Sequence, residues 1–453
     1  MHLLGMEGQL FSICALLFLT NCVTGDIGYF WHVTDFHYDP TYNRTSLSCQ
    51  ESNGGNQMGR FGNMWCDSPW VLIESSVKAM YSIKTDIDFL LWTGDTVLHA
   101  SVKDLNHQFN SVILDNVTDL LKTTFPKKPV YASFGNHDSY PSDQFKPKNT
   151  VLYNESLARW RSWINDSSQD ANFRKGGFYS VKTPQNIRIV ALNTVLYYIP
   201  NKAVQSDGDP AGQFAWLTQI LEAARKQKER VIITAHIAPG VTPTGKSELY
   251  KHQNDRLVEI MKEYCDVIIA MHFGHEHADA FKVLKNKAGV PVSPVFLAPS
   301  VTPIRFGPVH NPGIRLVKYD RSTGQHLGIS QYYLDLSKAN NAGRADWKLE
   351  YTTASTYGLQ DLSAGKLSSL TDKMRDPDSL EFKTYWKYYV VSPSEELTDA
   401  CNSTCHASVV CGLTEFIKAD FDKCVAEMLT SSAMQLSYWV PLFGISVMLL
   451  VFC

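Results

Sequence analysis

The chain has 453 residues, a formal net charge of −3 and 12% aromatic residues. A nearly neutral chain lacks the basic field that nucleic-acid binders need, and this aromatic content argues against disorder. We therefore expect no nucleic-acid-binding surface, and a folded chain long enough for one large domain or two ordinary ones.

The N-terminal residues 1–25 contain an apolar run over residues 10–19, followed by Val23, Thr24 and Gly25. The run is too short to span a bilayer and predicts a signal peptide over residues 1–25. The alternative is a buried N-terminal helix, which Asn21 and Gly25 would interrupt. A secreted chain would carry glycans at its Asn-x-Ser/Thr acceptors, which are Asn43, Asn116, Asn154, Asn165 and Asn402.

An uncharged apolar run occupies residues 438–453, and small residues precede it. This pattern is typical of a glycosylphosphatidylinositol (GPI) attachment signal, which we assign to residues 431–453 with Ser431 or Ser432 as the attachment site. A short transmembrane helix is the alternative, although the run is shorter than the ~20 residues that a bilayer core requires. We expect a lipid-anchored protein on the extracellular face of the cell membrane.

Of the ten cysteines, Cys14 and Cys22 fall in the predicted signal peptide and Cys453 in the tail, which leaves seven. Secreted cysteines usually pair, so we expect disulfides within two groups. These groups are Cys49 with Cys66, and the cluster of Cys401, Cys405, Cys411 and Cys424. Cys265 is the candidate free, buried thiol. A zinc site in the four-cysteine cluster is the alternative.

The predicted elements alternate between strands and helices as far as residue 271. In chain order they are strand 27–33, helix 70–84, strand 89–92, helix 103–123, strands 130–134 and 187–192, helix 213–227, strand 231–235, helix 249–263 and strand 267–271. From about residue 291 to 333 the pattern is strand after strand, and from about 347 it turns helical. This predicts a two-sheet α/β sandwich over residues 26–345 and a small helical, cysteine-bearing subdomain over residues 346–430.

Side chains that can bind a metal follow five of the predicted strands. They are Asp35 and His37, then Asp95, then Asn136 and His137, then His236, and finally His275 and His277. Ligands collect outside the carboxyl ends of the strands in α/β sheets, so we expect these side chains to converge. Mixed imidazole, carboxylate and amide ligands suit zinc, iron or manganese. An ordinary polar loop explains any one of these motifs, but not all of them in this order.

Several runs of the sequence resemble the calcineurin-like metallophosphoesterases, and in particular acid sphingomyelinase and its relatives. They are residues 30–40 (FWHVTDFHYDP), 66–69 (CDSP), 92–95 (WTGD), 135–138 (GNHD) and 311–315 (NPGIR). The resemblance covers nearly all of the chain after residue 25. The sequence has no cysteine-patterned, saposin-like segment before its first strand, which favours the acid sphingomyelinase-like phosphodiesterases. The apolar tail favours their membrane-anchored type.

This resemblance implies two zinc ions per chain and a role for each motif residue. Asp35, His37 and His277 would hold one ion, Asn136, His236 and His275 the other, and Asp95 would bridge them. A hydroxide between the two metals would attack phosphorus. His137 would act as general acid with His99 as its companion, and Asp138 would orient His137. His99 could instead be a loop histidine, and we interpret His32, His107 and His272 as structural.

The expected activity is hydrolysis of phosphate esters or pyrophosphates in soluble substrates such as nucleotides and CDP-choline, by a monomeric enzyme. Tyr140, Tyr197 and Tyr198 could stack on a base or a choline group, or belong to the core. One alternative is a sphingomyelin phosphodiesterase, although extracting lipid from a bilayer requires an apolar docking surface. The other is a membrane-anchored receptor or regulatory protein with little turnover, against which the complete ligand set argues.

Overall fold

Two six-stranded sheets form the framework of the protein. The structure is a computed structural model and describes residues 26–42, 46–49, 58–148, 150–304, 309–393 and 401–437. The predicted signal peptide, Asn43, Cys14, Cys22 and the apolar tail with Cys453 lie outside these residues. No helix among the described residues is both long and apolar enough to cross a membrane.

Both sheets are mixed: parallel pairs form one side of the first sheet and the centre of the second, and the remaining strand pairs are antiparallel. The first sheet contains, in spatial order, β12 (Lys348–Thr352), β11 (His326–Tyr333), β10 (Gly313–Asp320), β1 (Ile27–Val33), β2 (Phe89–Trp92) and β3 (Val130–Ala132). The second contains β4 (Tyr179–Lys182), β5 (Ile187–Ala191), β6 (Arg230–Thr234), β7 (Ile268–Phe273), β9 (Pro291–Leu297) and β8 (Ala280–Lys285). The predicted two-sheet α/β architecture is confirmed.

The helices connect these strands and then continue at the C-terminal side. They are α1 (Trp70–Ile83), α2 (His107–Thr124), α3 (Val151–Ile164), α4 (Asp170–Gly176), α5 (Gln213–Lys226), α6 (Lys251–Glu263), α7 (Leu336–Ala342), α8 (Thr353–Tyr357), α9 (Ala364–Met374), α10 (Leu380–Tyr389), α11 (Ser403–Gly412) and α12 (Lys418–Ser437). Helix α2 begins four residues later than predicted, because the Asn106 side chain caps it by accepting from Phe109 N–H. Helices α3 and α4 were not among the elements expected from the sequence.

The C-terminal region differs from its prediction in one respect and agrees in another. Strand β12 lies inside the segment expected to be helical and pairs with β11, so this region also completes the first sheet. Its four cysteines form the disulfides Cys401–Cys405 and Cys411–Cys424, and Cys49 pairs with Cys66. The disulfide prediction is confirmed, and the alternative of a zinc site in this cluster is wrong. The division at residues 345 and 346 stays a prediction.

Cys265 is the one free cysteine among the described residues, as expected, but it is not buried. Its expected burial came from its position just before the apolar strand predicted over residues 267–271. It lies in the turn between α6, which ends at Glu263, and β7, which starts at Ile268. A turn at the end of a helix lies near the surface, and the thiol is accordingly only half-buried.

A chain of buried histidines joins the two sheets. His272 of β7 lies between His326 of β11, at 2.8 Å, and His32 of β1, at 3.3 Å. The outer ends of the chain are the Gly324 carbonyl, 3.2 Å from His326 Nδ1, and the Thr93 hydroxyl, 3.2 Å from His32 Nε2. The Gly324 carbonyl can only accept, so His326 donates to it. If all three rings are neutral, each ring has one donor and one acceptor, so His272 donates to His326, His32 donates to His272, and the Thr93 hydroxyl donates to His32. Burial lowers the pKa of each ring, that of His326 to about 4, which keeps the chain neutral.

Candidate metal centre and active site

All seven expected metal ligands meet where the carboxyl ends of the two sheets face each other. Close contacts between them include His236 Nε2 to Asp95 Oδ2 at 3.1 Å, and His277 Nε2 to Asp35 Oδ1 at 3.4 Å. His37 Nε2 lies 3.4 Å from Asp95 Oδ2. Five loops from two sheets therefore supply one cluster of nitrogen and oxygen atoms.

Asp95 belongs to two overlapping groups of ligand atoms. One group combines it with Asp35 and His37, and the other with His236 and His275; within each group the atoms lie within 4.8 Å of one another. A carboxylate shared in this way has the position that a residue bridging two metal ions needs. His277 contacts the first group through His37, at 3.2 Å between the two Nε2 atoms.

The backbone at this cluster adopts conformations that side chains other than glycine rarely take. Positive φ angles occur at Asp35 (52°), His37 (40°), Asp95 (54°), His275 (72°) and His277 (51°). Bonds between neighbouring loops hold these residues, such as Asp35 N–H to the Gly94 carbonyl at 2.9 Å. Gly135 permits a close approach between two of these loops, since a Cβ there would lie 2.1 Å from Asp95 Oδ1. Strained backbone concentrated at one cluster is typical of a functional site.

Three of the histidines have the same hydrogen-bonding arrangement on their outer side. Each ring uses Nδ1 to bond a main-chain carbonyl: His37 to Val97 at 2.8 Å, His236 to Thr93 at 2.7 Å and His277 to Ile304 at 2.7 Å. A carbonyl accepts, so Nδ1 carries the proton in each case. In the neutral ring Nε2 is then a bare lone pair that points into the cluster, which is the tautomer of a metal-ligating histidine.

With these rings neutral, the inner side of the cluster consists of acceptors that face other acceptors. His236 Nε2 lies 3.0 Å from Asn136 Oδ1, whose amide is oriented by an Nδ2–H bond to Asp143 at 2.8 Å. Asp35 Oδ1 is buried and has no hydrogen-bond partner among the described residues. Cations resolve these unfavourable contacts, so the residues present fit the two metal ions that the fold family implies.

The protonation of these groups reflects the same electrostatics. Burial alone would raise the pKa of Asp35, but the surrounding histidines, His277 foremost, hold it well below its usual value. Burial likewise opposes the charged form of His236, yet the Asp95 carboxylate raises its pKa to about 9. Protons and metal ions compete for this negative site, so we expect metal affinity to fall at acidic pH.

His99 and His137 stand side by side at the mouth of the centre. Their ring centroids are 4.3 Å apart, and His99 also stacks on His37 at 3.9 Å. The buried carboxylate of Asp67 holds His99 through the ring Nδ1 at 3.0 Å and the backbone N–H at 2.6 Å. Asp67 was given no role from the sequence. It belongs, however, to residues 66–69 (CDSP), one of the runs that carry the family resemblance, and this position could have marked it as a site residue.

Asp138 does not orient His137, contrary to the prediction. Its two carboxylate oxygens accept the backbone N–H groups of Thr96 and Gly135, each at 2.8 Å. The short helical turn Asn136–Asp138 directs this side chain back to its own N-terminus, where it ties two ligand loops together. His137 is instead anchored by its backbone N–H, which donates to Asp95 Oδ1 at 2.8 Å.

A buried ion pair that the sequence analysis missed fixes the loop of His275 and His277. Asp279 follows these ligands and accepts a bond from Arg315 of β10 and another, at 2.7 Å, from the Tyr351 hydroxyl of β12. Arg315 is fully buried and also donates to the Leu297 carbonyl at 2.9 Å. The first sheet thereby positions expected metal ligands that belong to the second.

The metal centre forms the base of a cavity of about 290 Å³, and every side chain that lines this cavity carries a polar group. Apart from the expected ligands and the two histidines at the mouth, the lining residues are Tyr198, Thr242, Thr244, Lys246, Glu248, Glu276 and Tyr389. Of the three tyrosines singled out in the sequence, only Tyr198 reaches this cavity, with its ring 5.4 Å from that of His275. Tyr197 is a core residue stacked on Phe214, and Tyr140 is exposed and lies in another groove.

Comparison with known proteins agrees with this geometry. Residues 28–279 match the family model of the calcineurin-like phosphoesterases, and residues 290–431 match that of the acid sphingomyelin phosphodiesterase C-terminal region. The chain is 36% identical to human cyclic GMP-AMP phosphodiesterase SMPDL3A, covering 92% of this chain and 97% of the relative. It is 34% identical to human acid sphingomyelinase-like phosphodiesterase 3b, covering 88% and 91%.

Among solved structures, one titled "Structure of PhoD" is similar over 72% of this chain and 69% of its own, with a TM-score of 0.44 and 10% identity. The chain belongs to the calcineurin-like phosphoesterases. Within this family it is similar along its length to acid sphingomyelinase-like phosphodiesterases, and it is a metal-dependent hydrolase of phosphoric esters.

Replacing Asp95 by Asn tests the shared carboxylate. The amide keeps the shape but supplies one neutral acceptor to two cations, so we expect metal affinity to fall by at least ~100-fold and activity to fall with it. The measurement is metal content by mass spectrometry beside turnover of a chromogenic phosphodiester. Asp104→Asn, at an exposed site beyond the same strand, is the control. Full metal occupancy with normal turnover in Asp95→Asn would contradict the bridging position.

Proposed function

We propose that this enzyme uses two zinc ions to hydrolyse phosphodiester and pyrophosphate bonds in soluble, nucleotide-like substrates. The observation that carries this proposal is the polar cavity directly above the metal centre. Bound zinc would supply Lewis acidity to the phosphoryl oxygens and to the attacking water. Asp35, His37 and His277 would hold one ion, Asn136, His236 and His275 the other, and Asp95 both.

The protein's own residues would handle the leaving group. His137 Nδ1 has no hydrogen-bond partner among the described residues and lies beside the centre, so it is free to give a proton to a departing alkoxide. His99, held by Asp67, would stand beside it and support the developing negative charge. This division of roles explains why two histidines that are not expected ligands stand at the mouth of the centre.

The walls of the cavity favour a substrate with charge on both sides of its scissile bond. Lys246 pairs with Glu248 at 3.0 Å and is otherwise exposed, so it is available for a second phosphate. Tyr198 and Tyr389 also line the cavity, where they would contact a base or a choline group. One relative is named cyclic GMP-AMP phosphodiesterase, so its name states a nucleotide substrate. This name supports nucleotide-like substrates for the present enzyme.

Specificity constants test this substrate class. We expect kcat/KM for a cyclic dinucleotide, ATP and CDP-choline to exceed that for sphingomyelin in bilayers, because the cavity can bind an exposed phosphate without extracting a lipid. Lys246→Met should raise KM for ATP by ~10-fold, the equivalent of one charge-assisted hydrogen bond. Lys226→Met, an exposed lysine on α5, is the matched control. If the enzyme cleaved bilayer sphingomyelin faster than these soluble substrates without a lipid-extracting protein, the alternative of a sphingomyelin phosphodiesterase would be established instead.

The general-acid role of His137 predicts a dependence on the leaving group. His137→Gln should lower turnover of alkyl esters by ~10²–10⁴ while p-nitrophenyl esters, which need little protonation, lose less. Burial, then His99, lowers the pKa of His137 well below its usual 6.5, so its protonated fraction grows as pH falls. Alkyl-ester turnover should therefore rise towards acidic pH until metal is lost. Equal losses for both ester types, beside an unaffected His252→Gln control, would contradict the role.

We also propose that the protein is exported, glycosylated and held on the outer cell surface by a GPI anchor. Asn116, Asn165 and Asn402 are exposed and Asn154 is half-buried, so glycan acceptors are accessible among the described residues. The attachment candidates Ser431 and Ser432 fall within α12, directly before the apolar tail. Release of the protein from cells by a phosphatidylinositol-specific phospholipase is the expected result, and full retention would favour a transmembrane tail.

A further inference from the structure

One wall of the cavity is a loop that begins three residues after the metal ligand His236. Residues 239–248, which we call the pocket loop, form a small hairpin in which Val241 pairs with Ser247. The loop contributes four residues to the cavity wall, which are Thr242, Thr244, Lys246 and Glu248. The position of this hairpin therefore sets the shape of the space beside the metal centre.

Lys282 of β8 holds the pocket loop from behind. It is only 7% exposed, which is unusual for a lysine. Its Nζ atom donates to the carbonyls of Pro239 and Val241, at 3.3 and 3.1 Å. Nζ also lies 4.9 Å from the centre of the Phe416 ring. The ammonium group thus has two carbonyls and one aromatic face for its three N–H bonds.

Burying this ammonium group is costly, and its bonds compensate for the cost. Burial lowers the pKa of Lys282 to about 8, with Glu276 and Glu415 as the nearest opposing charges. An apolar side chain at this position would avoid that cost but would leave the two loop carbonyls without this donor. The lysine is therefore suited to fixing the loop rather than to filling the core.

The C-terminal region packs against the same side of the pocket loop. Asn254 accepts the Gly240 N–H at 2.8 Å and donates to the Phe416 carbonyl at 2.9 Å, so it links the loop to this region. Gly240 allows the close approach, since a Cβ there would lie 2.6 Å from Lys282 Nζ and 3.3 Å from Phe416 Cα. The disulfide Cys411–Cys424 closes the segment that carries Phe416.

We propose that Lys282 is a positioning residue for phosphoric ester hydrolysis, which holds the pocket loop in its substrate-binding position against the Phe416 segment of the C-terminal region. Lys282 contacts no expected metal ligand and is not among the residues that line the cavity over the metals. Its effect must therefore reach the substrate through the loop. The inference depends on the hydrolysis of phosphoric esters and not on the identity of the natural substrate.

The test uses full-length protein and bis(p-nitrophenyl) phosphate. Lys282→Met keeps the aliphatic stem and removes the donors, so we expect KM to rise by ~10-fold, as for one lost hydrogen bond to a charged group, with kcat changed by less than ~3-fold. Zinc content should stay at the wild-type value. Lys282→Arg, which retains donors, should restore most of the affinity. Lys285→Met, three residues along the same strand, is the matched control.

A double-mutant cycle separates positioning from general stability. Phe416→Leu removes the ring beside the ammonium, and we expect a smaller rise in KM that does not add to the effect of Lys282→Met. If Lys282→Met does not fold, Phe416→Leu alone carries the test. An unchanged KM in the folded variants would overturn the proposal. So would a joint loss of kcat and zinc with KM unchanged, because this is the result expected of a merely structural residue.

Discussion

The loop after β2, residues 93–97, is the element on which the metal centre depends. Its Thr93 and Val97 carbonyls accept from His236 and His37. Its Gly94 and Asp95 carbonyls accept the backbone N–H groups of the loop after β1. Its one carboxylate, Asp95, is shared by the two groups of ligand atoms. A five-residue loop thus sets the tautomers of ligands from both sheets and supplies the atom between them.

Hydrogen bonds and a buried ion pair also connect the core between the two sheets to the metal centre. The histidine chain between the sheets ends on the Thr93 hydroxyl, while the Thr93 carbonyl orients His236. On the other side, the buried pair of Asp279 and Arg315 links the loop of His277 to the first sheet. A displacement of one sheet against the other would disturb both connections at once. The sandwich therefore holds the ligand geometry through polar contacts as well as through apolar packing.

The parts of the fold that the sequence predicted well are those in which local pattern and tertiary structure agree. Strands β1 and β2 have the predicted bounds because apolar runs followed by Asp or Gly motifs leave little choice of ends. Helix α3 was missed although its buried residues, among them Leu152, Leu157 and Trp160, recur at helical spacing, so the signal for it was present in the sequence. Strand β12 was missed because Lys348 and Leu349 are exposed, so only pairing with β11 defines it.

The convergence of the expected metal ligands was predictable for a reason that does not extend to the cavity walls. Each ligand follows its own strand directly, and parallel strands bring their carboxyl ends together without further information. Tyr389 and Lys246 reach the cavity through packing between distant segments, which no local motif records. The reaction can thus be inferred from strand ends. The choice of substrate depends on the cavity wall formed by the pocket loop. Contacts outside the cavity set the position of this wall, such as those of Lys282 with the backbone of the pocket loop.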